Sequence, residues 1–163
     1  MRIALPLFSL CFCLAASAAE IPNPLIDYQA FKTNVDLVGK LRDQRRVTED
    51  EFIHMAADPS TVVLDARSAG KYKLLHVKGA RNLSLPDMTA EELARVIPSK
   101  STRVLIYCNN NFLNAPGAFP SKLLSASLNV YTFNVLYSYG YTNVYELGPL
   151  LDINAARLKF EGS

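Results

Sequence analysis

The chain has 163 residues, 50% of them hydrophobic, and this length and composition predict one domain with a single core. Lys and Arg together number 17 and Asp and Glu number 15, so the formal net charge is only +2. This near balance argues against a nucleic acid or an anionic membrane surface as a partner. The composition does not specify an oligomeric state.

The N-terminus has the pattern of a secretory signal peptide. Arg2 supplies a positive charge, residues 3–16 are almost uninterruptedly apolar, and the residues that follow are small. We expect residues 1–19 to be a cleaved signal peptide and the protein to be exported, to the periplasm rather than into the medium. The apolar run is too short for a comfortable membrane span and lacks a positive stop-transfer flank. We therefore expect no stable membrane anchor after signal cleavage.

Removal of the signal peptide would leave one thiol. Cys11 and Cys13 lie within residues 1–19, so Cys108 is the only cysteine of the predicted mature chain. An intramolecular disulfide is then impossible, and an odd cysteine in an exported protein indicates a reactive thiol or an intermolecular bridge. With one cysteine and only two histidines, we expect no metal site.

Residues 20–46 are predicted to form an N-terminal helical extension. Apolar side chains recur at helical spacing from Leu25 to Val38, so we expect a packed helix through about Lys40. The charged stretch over residues 40–46 is expected to be the solvated end of that helix.

After the extension, helix signals alternate with strand signals. Thr48 with Glu51, and Thr89 with Glu92, have the spacing of capping boxes, which open helices. A further short helix is expected around residues 68–75. Short runs of apolar residues predict strands at residues 61–65, 80–85, 103–108 and 143–147.

Residues 109–120 are predicted to form a long loop. One helical stripe follows it at positions 124, 128, 131, 135 and 139, and Gly140 fits the residue after the helix end. The alternation predicts an α/β fold over residues 47–151, with a central parallel sheet flanked by helices on both faces. Residues 152–163 are expected to be a C-terminal tail.

Two chemically active side chains stand at the carboxyl ends of predicted strands, where parallel sheets bind ligands. They are Asp65 and Cys108. A loop that leads from a strand into a helix directs backbone N–H groups at its centre, which favours an anion and the thiolate form of a cysteine. Amide side chains follow directly at Asn109, Asn110 and Asn111. The plainer interpretation of Cys108 is a small buried hydrophobic residue.

Four stretches of the sequence resemble the rhodanese-like domain family. They are residues 63–67 (VLDAR) with Tyr72 nearby, residues 76–83 (HVKGARNL), residues 104–108 (VLIYC) and residues 140–147 (GYTNVYEL). No single stretch is specific, but all four occur in the family's order and at comparable spacing. The resemblance covers about residues 46–151 and implies the family's fold, a parallel sheet of about five strands between helices.

The resemblance implies a sulfurtransferase with Cys108 as its catalytic nucleophile. The thiolate would take the sulfane sulfur of a small donor, and the resulting persulfide would pass it to a thiol or a protein acceptor. No metal or organic cofactor is needed for this chemistry. Three further residues match family positions that support the site, chiefly by holding structure: Asp65, Arg67 and His76.

The substrate-binding loop is expected to begin at the nucleophile. Its candidate residues are Asn109, Asn110, Asn111, Phe112, Leu113 and Lys122. The family's loop closes with an arginine, whereas residues 109–125 contain none and have Lys122 as their only cation. This departure, together with a loop that is longer than usual, favours a larger donor or a protein partner, and it argues against phosphatase chemistry. The alternative is a non-enzymatic binding module that uses residues 109–122, with Phe112 and Phe119 as walls or docking points.

Overall fold

The computed structural model describes Ile21 and residues 23–163. The predicted signal peptide, residues 1–19, lies outside the described residues. Within the described part of the chain, none of the helices has the combination of length and apolar character needed to cross a membrane.

The described residues form five α-helices and nine short strands. The helices are α1 (Tyr28–Asp43), α2 (Glu49–Ala56), α3 (Ala69–Leu74), α4 (Ala90–Val96) and α5 (Leu128–Ser138). The strands are β1 (Arg46–Val47), β2 (Val62–Asp65), β3 (His76–Val77), β4 (Arg81–Asn82), β5 (Val104–Tyr107), β6 (Phe112–Leu113), β7 (Val144–Leu147), β8 (Leu151–Asp152) and β9 (Phe160–Glu161).

Five strands form the central sheet, in the order β1-β7-β5-β2-β4, and every neighbouring pair is parallel. The predicted parallel sheet of five strands is therefore confirmed. The predicted strand 80–85 is reduced to β4, because Leu85 and Pro86 already belong to a 3₁₀ turn. Since parallel strands end at the same edge, Asp65 and Cys108 lie at one edge of the sheet, as expected.

Alternating side chains of β5 fill two hydrophobic layers. Val104 and Ile106 face the layer under α1, α4 and α5, which contains Val38, Leu93 and Phe133. Leu105 and Tyr107 face the opposite layer, which contains Phe52, Phe112, Phe119 and Leu158. The period of two along a strand thus places helices on both faces of the sheet, as the sequence predicts.

The N-terminal extension packs onto the domain through α1. Asp27 caps its first turn by accepting from the Ala30 backbone N–H at 2.8 Å. The buried side chain of Val38 joins the core, and Asn34 donates to the Ser138 hydroxyl at 3.0 Å across the α1–α5 interface. The helix predicted through about Lys40 continues to Asp43, so its last turn reaches the carboxyl edge of the sheet.

Helix α5 buries only part of the apolar stripe that its sequence predicts. Leu124 precedes the helix and is 88% exposed, and Tyr131 is 42% exposed, whereas Phe133 and Leu136 are fully buried. Leu128 and Val135 of the stripe do pack against the core. Apolar residues lie on several sides of this helix, so periodicity alone does not select one buried face. Its end is as predicted, since Gly140 has φ +83° and stands just after the helix.

The last twelve residues are part of the folded domain. β9 pairs antiparallel with β3, and the start of this segment pairs with β6 through β8. Gly162 runs so close to the Leu74 carbonyl that a Cβ at this position would collide with it. The segment predicted as a loop over residues 109–120 also contains regular structure, a 3₁₀ turn followed by β6.

Candidate active site

A buried ion pair occupies the carboxyl end of β2. The fully buried Asp65 carboxylate accepts from the Arg67 backbone N–H and Nε, each at 2.9 Å, and from the Tyr107 hydroxyl at 2.6 Å. The Arg67 guanidinium also donates to the carbonyl oxygens of Leu75 and Ala118, at 2.8 and 2.9 Å. Asp65 and Arg67 thus bind each other, and the pair joins the sheet to α3 and to the segment after β6.

Tyr107 completes this network as a hydrogen-bond donor. Burial, together with the neighbouring Asp65 carboxylate, raises the pKa of the Tyr107 hydroxyl far above its ordinary value. The hydroxyl therefore stays protonated, donates to Asp65, and accepts from the Val77 backbone N–H at 3.1 Å. The network is structural, because its donors and acceptors satisfy each other.

His76 also holds structure and does not line the space around Cys108. Its ring stacks on Tyr72 with ring centroids 3.7 Å apart, and Nδ1 lies 2.8 Å from the Tyr72 carbonyl oxygen. Nε2 lies 3.4 Å from a carboxylate oxygen of Glu161 on β9. These contacts tie α3 to the β3–β9 pair, which agrees with the supporting role that the family resemblance implies.

Cys108 follows β5 directly and faces α5. Its side chain lies two residues beyond Ile106 and thus on the same face of the sheet. The thiol is 1% exposed, and Sγ lies 3.3 Å from the Ser127 hydroxyl oxygen. Ser127 is the N-cap residue of α5, yet its side chain does not cap the helix. The thiol therefore stands at a helix N-terminus, where partial positive charge favours an anion.

Two of the three asparagines after Cys108 hold the chain in place through side-chain hydrogen bonds. The Asn111 Oδ1 accepts from the Cys108 backbone N–H at 2.9 Å, and its Nδ2 donates to the carbonyl oxygens of Leu147 and Pro149. The side chain of Asn110 bonds the backbone N–H and carbonyl of Lys122. Asn111 thus uses its side-chain donors and acceptors within the protein. Because Asn110 and Asn111 both line the cavity at Cys108, their role toward a substrate stays a prediction. Asn109 is buried and lines a neighbouring cavity of about 370 Å³, together with Lys122.

The other predicted loop residues lie apart from the thiol. Phe112 is 2% exposed and packs in an aromatic cluster that comprises Tyr107, Phe112, Phe119 and Phe160. Its placement in a substrate-binding loop is wrong, because long-range packing against β9 draws it into the core. Leu113 is exposed on β6. Phe119 is also 2% exposed, so neither phenylalanine forms a wall or docking point.

Cys108 lines a cavity of about 240 Å³ at the carboxyl edge of the sheet. Its lining comes from four parts of the chain: the end of the N-terminal extension, the turn after β5, the start of α5, and the end of β7. The lining residues are Arg42, Arg46, Cys108, Asn110, Asn111, Leu124, Ser127, Asn129, Val130, Glu146, Leu147 and Gly148.

Two arginines and a buried glutamate form the charged wall of this cavity. Glu146 on β7 has a side chain only 2% exposed. Arg42 donates to its carboxylate from both Nε and Nη2, each 2.6 Å from a carboxylate oxygen. Arg46 adds Nε at 3.2 Å from the same carboxylate and donates from Nη2 to the Gly148 carbonyl oxygen at 3.0 Å. The expectation that residues 40–46 are merely solvated is therefore wrong, because the buried carboxylate attracts both guanidinium groups.

Sequence reasoning missed Arg42, Arg46, Ser127, Asn129 and Glu146. One signal for the cluster was available: a glutamate inside the apolar run of β7 requires a cationic partner when the strand is buried. Ser127 and Asn129 gave no such signal, because their role depends on where α5 begins relative to Cys108.

Comparison with known proteins agrees with this architecture. A sequence model described as Rhodanese-like domain matches residues 48–148. The rhodanese-like domain of the Alr3790 protein from Anabaena sp. superposes with a TM-score of 0.53 at 19% identity, covering 73% of this chain and 80% of that one. The BH2092 protein from Bacillus halodurans gives 0.52 at 18% identity, covering 80% and 85%. At such identities the structural likeness concerns the fold. No curated protein sequence matches the chain.

Proposed function

The chain belongs to the rhodanese-like domain family, and from this premise we propose that it is a sulfurtransferase that carries sulfane sulfur on Cys108. The observation that carries the proposal is the position of this thiol. It lines an open cavity at the carboxyl edge of a parallel sheet, 3.3 Å from a hydroxyl at the N-terminus of α5. This placement suits a thiolate nucleophile with an anionic substrate.

The proposed reaction has two steps. The Cys108 thiolate attacks the outer sulfur of thiosulfate or a related donor, a new S–S bond forms, and the donor's S–S bond breaks. Sulfite leaves with the electron pair of the broken bond, and Cys108 becomes a persulfide. A nucleophile such as cyanide or a thiolate then attacks the outer sulfur, and the electron pair of the cysteine's S–S bond returns to the Cys108 thiolate.

Two features beside Cys108 support the anionic states of this cycle. The Ser127 hydroxyl is placed to donate to the thiolate or to the persulfide anion. The first backbone N–H groups of α5 lie next to it and give the site a partial positive charge.

We propose further that the protein is exported and works in the periplasm. Support comes from the pattern of residues 1–19 and from the single thiol that would remain after cleavage. A nucleophile without a second cysteine in its own chain forms no intramolecular disulfide in an oxidising compartment.

The proposal is tested by transfer of sulfur from thiosulfate to cyanide, followed as thiocyanate. The wild-type chain is expected to give turnover, and Cys108→Ser to give none above the uncatalysed rate. Ser125→Ala changes an exposed residue that does not line the Cys108 cavity, so it is the matched control, and we expect it to retain full turnover. Equal turnover in Cys108→Ser and in the wild type would refute the proposed nucleophile.

The alternative of a non-enzymatic binding module has less support. It depends on the apolar side chains of residues 109–122 being available, and both Phe112 and Phe119 are 2% exposed. A module of this kind would have to use other side chains.

A further inference from the structure

The charged groups that line the Cys108 cavity all belong to one cluster. They are Arg42, Arg46 and Glu146. Two guanidinium groups against one carboxylate leave this cluster with one net positive charge. Residues 109–125, which surround the thiol in sequence, contain no arginine, and their only lysine, Lys122, lines a different cavity. The positive side chains at the thiol therefore come from the N-terminal extension and its junction with the sheet.

Both arginines keep donors that the protein does not use. Arg42 binds Glu146 through Nε and Nη2, and Arg46 uses Nε on Glu146 and Nη2 on the Gly148 carbonyl. Among the described residues, nothing accepts from Nη1 of either guanidinium. Glu146 thus fixes the position of two planar guanidinium groups and leaves the Nη1 of each free to donate. This arrangement suits the binding of an oxyanion.

Asn129 lines the same cavity and is hydrogen-bonded to Asn111. It is 4% exposed and lines the cavity, and its Oδ1 has no hydrogen-bond partner among the described residues. The orientation of its amide follows from Asn111, whose Nδ2 is engaged with two carbonyls, so that Asn111 Oδ1 must accept from Asn129 Nδ2, at 3.2 Å. The Nδ2 of Asn129 is therefore committed to Asn111, which in turn holds the Cys108 backbone N–H.

We propose that Arg42 and Arg46, positioned by Glu146, form the anion-binding element of the Cys108 cavity, so that the sulfur substrate is a small molecule with an oxyanion or carboxylate group. The inference rests on the proposed function for the role of Cys108, and it adds the residues that select the substrate. Arg46 is the group to test, since its side chain is 49% exposed and its removal leaves the two Arg42–Glu146 contacts in place.

Alkylation of Cys108 tests the inference without any sulfur transfer. Iodoacetate and iodoacetamide differ in charge, and the ratio of their rates on the Cys108 peptide, read by mass spectrometry, reports the charge of the cavity. We expect Arg46→Gln to lower the iodoacetate-to-iodoacetamide ratio by about fivefold at low salt, and added salt to reduce the wild-type ratio. Arg46→Lys, which keeps the charge, is expected to retain most of the wild-type ratio.

Arg45→Gln is the matched control for these measurements. Arg45 adjoins Arg46 in sequence, but its guanidinium stacks on Tyr145, 4.4 Å from the ring centroid, and it does not line the cavity. We expect its ratio to stay within about twofold of the wild-type ratio. An equal drop in Arg45→Gln and Arg46→Gln, or no drop in either, overturns the inference.

Steady-state kinetics then identify the anionic substrate. If the donor is bound here, Arg46→Gln raises the KM for thiosulfate about fivefold and leaves kcat nearly unchanged. If the acceptor is bound here, the KM rises for mercaptoacetate and not for the neutral 2-mercaptoethanol. Turnover with all three KM values unchanged overturns the inference, whereas a lowered alkylation ratio without any turnover keeps it and refutes the proposed function instead.

Discussion

Two arginine–carboxylate clusters lie at the same edge of the sheet. They differ in whether their guanidinium groups keep hydrogen-bond donors that no protein group uses. Asp65 and Glu146 are both almost completely buried, with side chains 0% and 2% exposed. Arg67, the partner of Asp65, is 1% exposed, and its guanidinium donates hydrogen bonds to Asp65 and to two backbone carbonyls. Arg42 and Arg46 are 28% and 49% exposed and border the cavity of Cys108.

The comparison shows how burial divides one kind of interaction into two roles. A buried arginine surrounded by acceptors is a structural cross-link, and its removal leaves a buried carboxylate without a cationic partner. An arginine held on one side by a buried carboxylate and open on the other remains a preorganised donor. The first cluster should therefore matter mainly for stability, and the second mainly for substrate selection.

The largest expected effect comes from breaking the closed cluster. Arg67→Met should lower the free energy of unfolding by about 3–5 kcal/mol, because Asp65 loses its cationic partner in a site without solvent. Urea unfolding measures the change. Arg95→Met is the control, since Arg95 is 62% exposed and pairs only with surface glutamates, and it should cost at most about 1 kcal/mol. Equal losses in the two variants would contradict the structural role of Arg67.

Arg42→Met should have a smaller effect on stability, about 1–3 kcal/mol, because Glu146 keeps Arg46 and solvent reaches the cavity. Adding Glu146→Gln should recover part of the loss, since the stranded charge is then removed. Urea unfolding of both variants gives the recovered fraction. If Arg42→Met lost as much free energy of unfolding as Arg67→Met, and Glu146→Gln recovered none of it, the two clusters would not differ in role.

Ser127 tests the environment of the thiol itself. Its hydroxyl is 3.3 Å from Sγ, so Ser127→Ala removes a donor to the thiolate and should slow alkylation of Cys108 by iodoacetamide by about tenfold. The exposed Ser125 is two residues away, and Ser125→Ala should leave the rate unchanged. If both variants react like the wild type, the hydroxyl does not support the thiolate.

The smallest effect belongs to an exposed carboxylate, Glu161 on β9. A hydrogen bond from the Gly79 backbone N–H, helped by nearby His76, holds the pKa of Glu161 below its ordinary value of 4.5. A lowered folded-state pKa adds stability above the unfolded-state pKa, and this stability is lost as pH falls through the folded-state pKa. Glu161→Gln should be slightly less stable than the wild type near neutral pH, and equally stable once the pH lies below the folded-state pKa of Glu161. A difference that grows toward acid would reverse this assignment.

Local signals in the sequence predicted most of the fold. Capping residues such as Thr48 mark helix starts, and short apolar runs mark strands whose neighbours are parallel, so the sheet and its helices follow. The pairing of Asp65 with Arg67 was also predictable, since only one residue separates them.

The charged side of the site was not predictable in the same way. Arg42 and Glu146 are far apart in sequence and meet only because α1 ends beside β7. Phe112 was assigned to the loop, because nothing near it in sequence reveals its contact with Phe160. Periodicity located only part of the buried face of α5 for a related reason, since the neighbours of a largely apolar helix determine which face is buried.

The most direct test of the account is the fate of a sulfur atom on Cys108. After incubation with thiosulfate, mass spectrometry of the Cys108 peptide should show the mass of one added sulfur, and a reducing thiol should remove it. Cys108→Ser should show no adduct, and Arg46→Gln should need more thiosulfate for the same occupancy. A wild-type chain that stays unmodified at saturating thiosulfate and thiosulfonate, or that carries the sulfur elsewhere, would contradict the account.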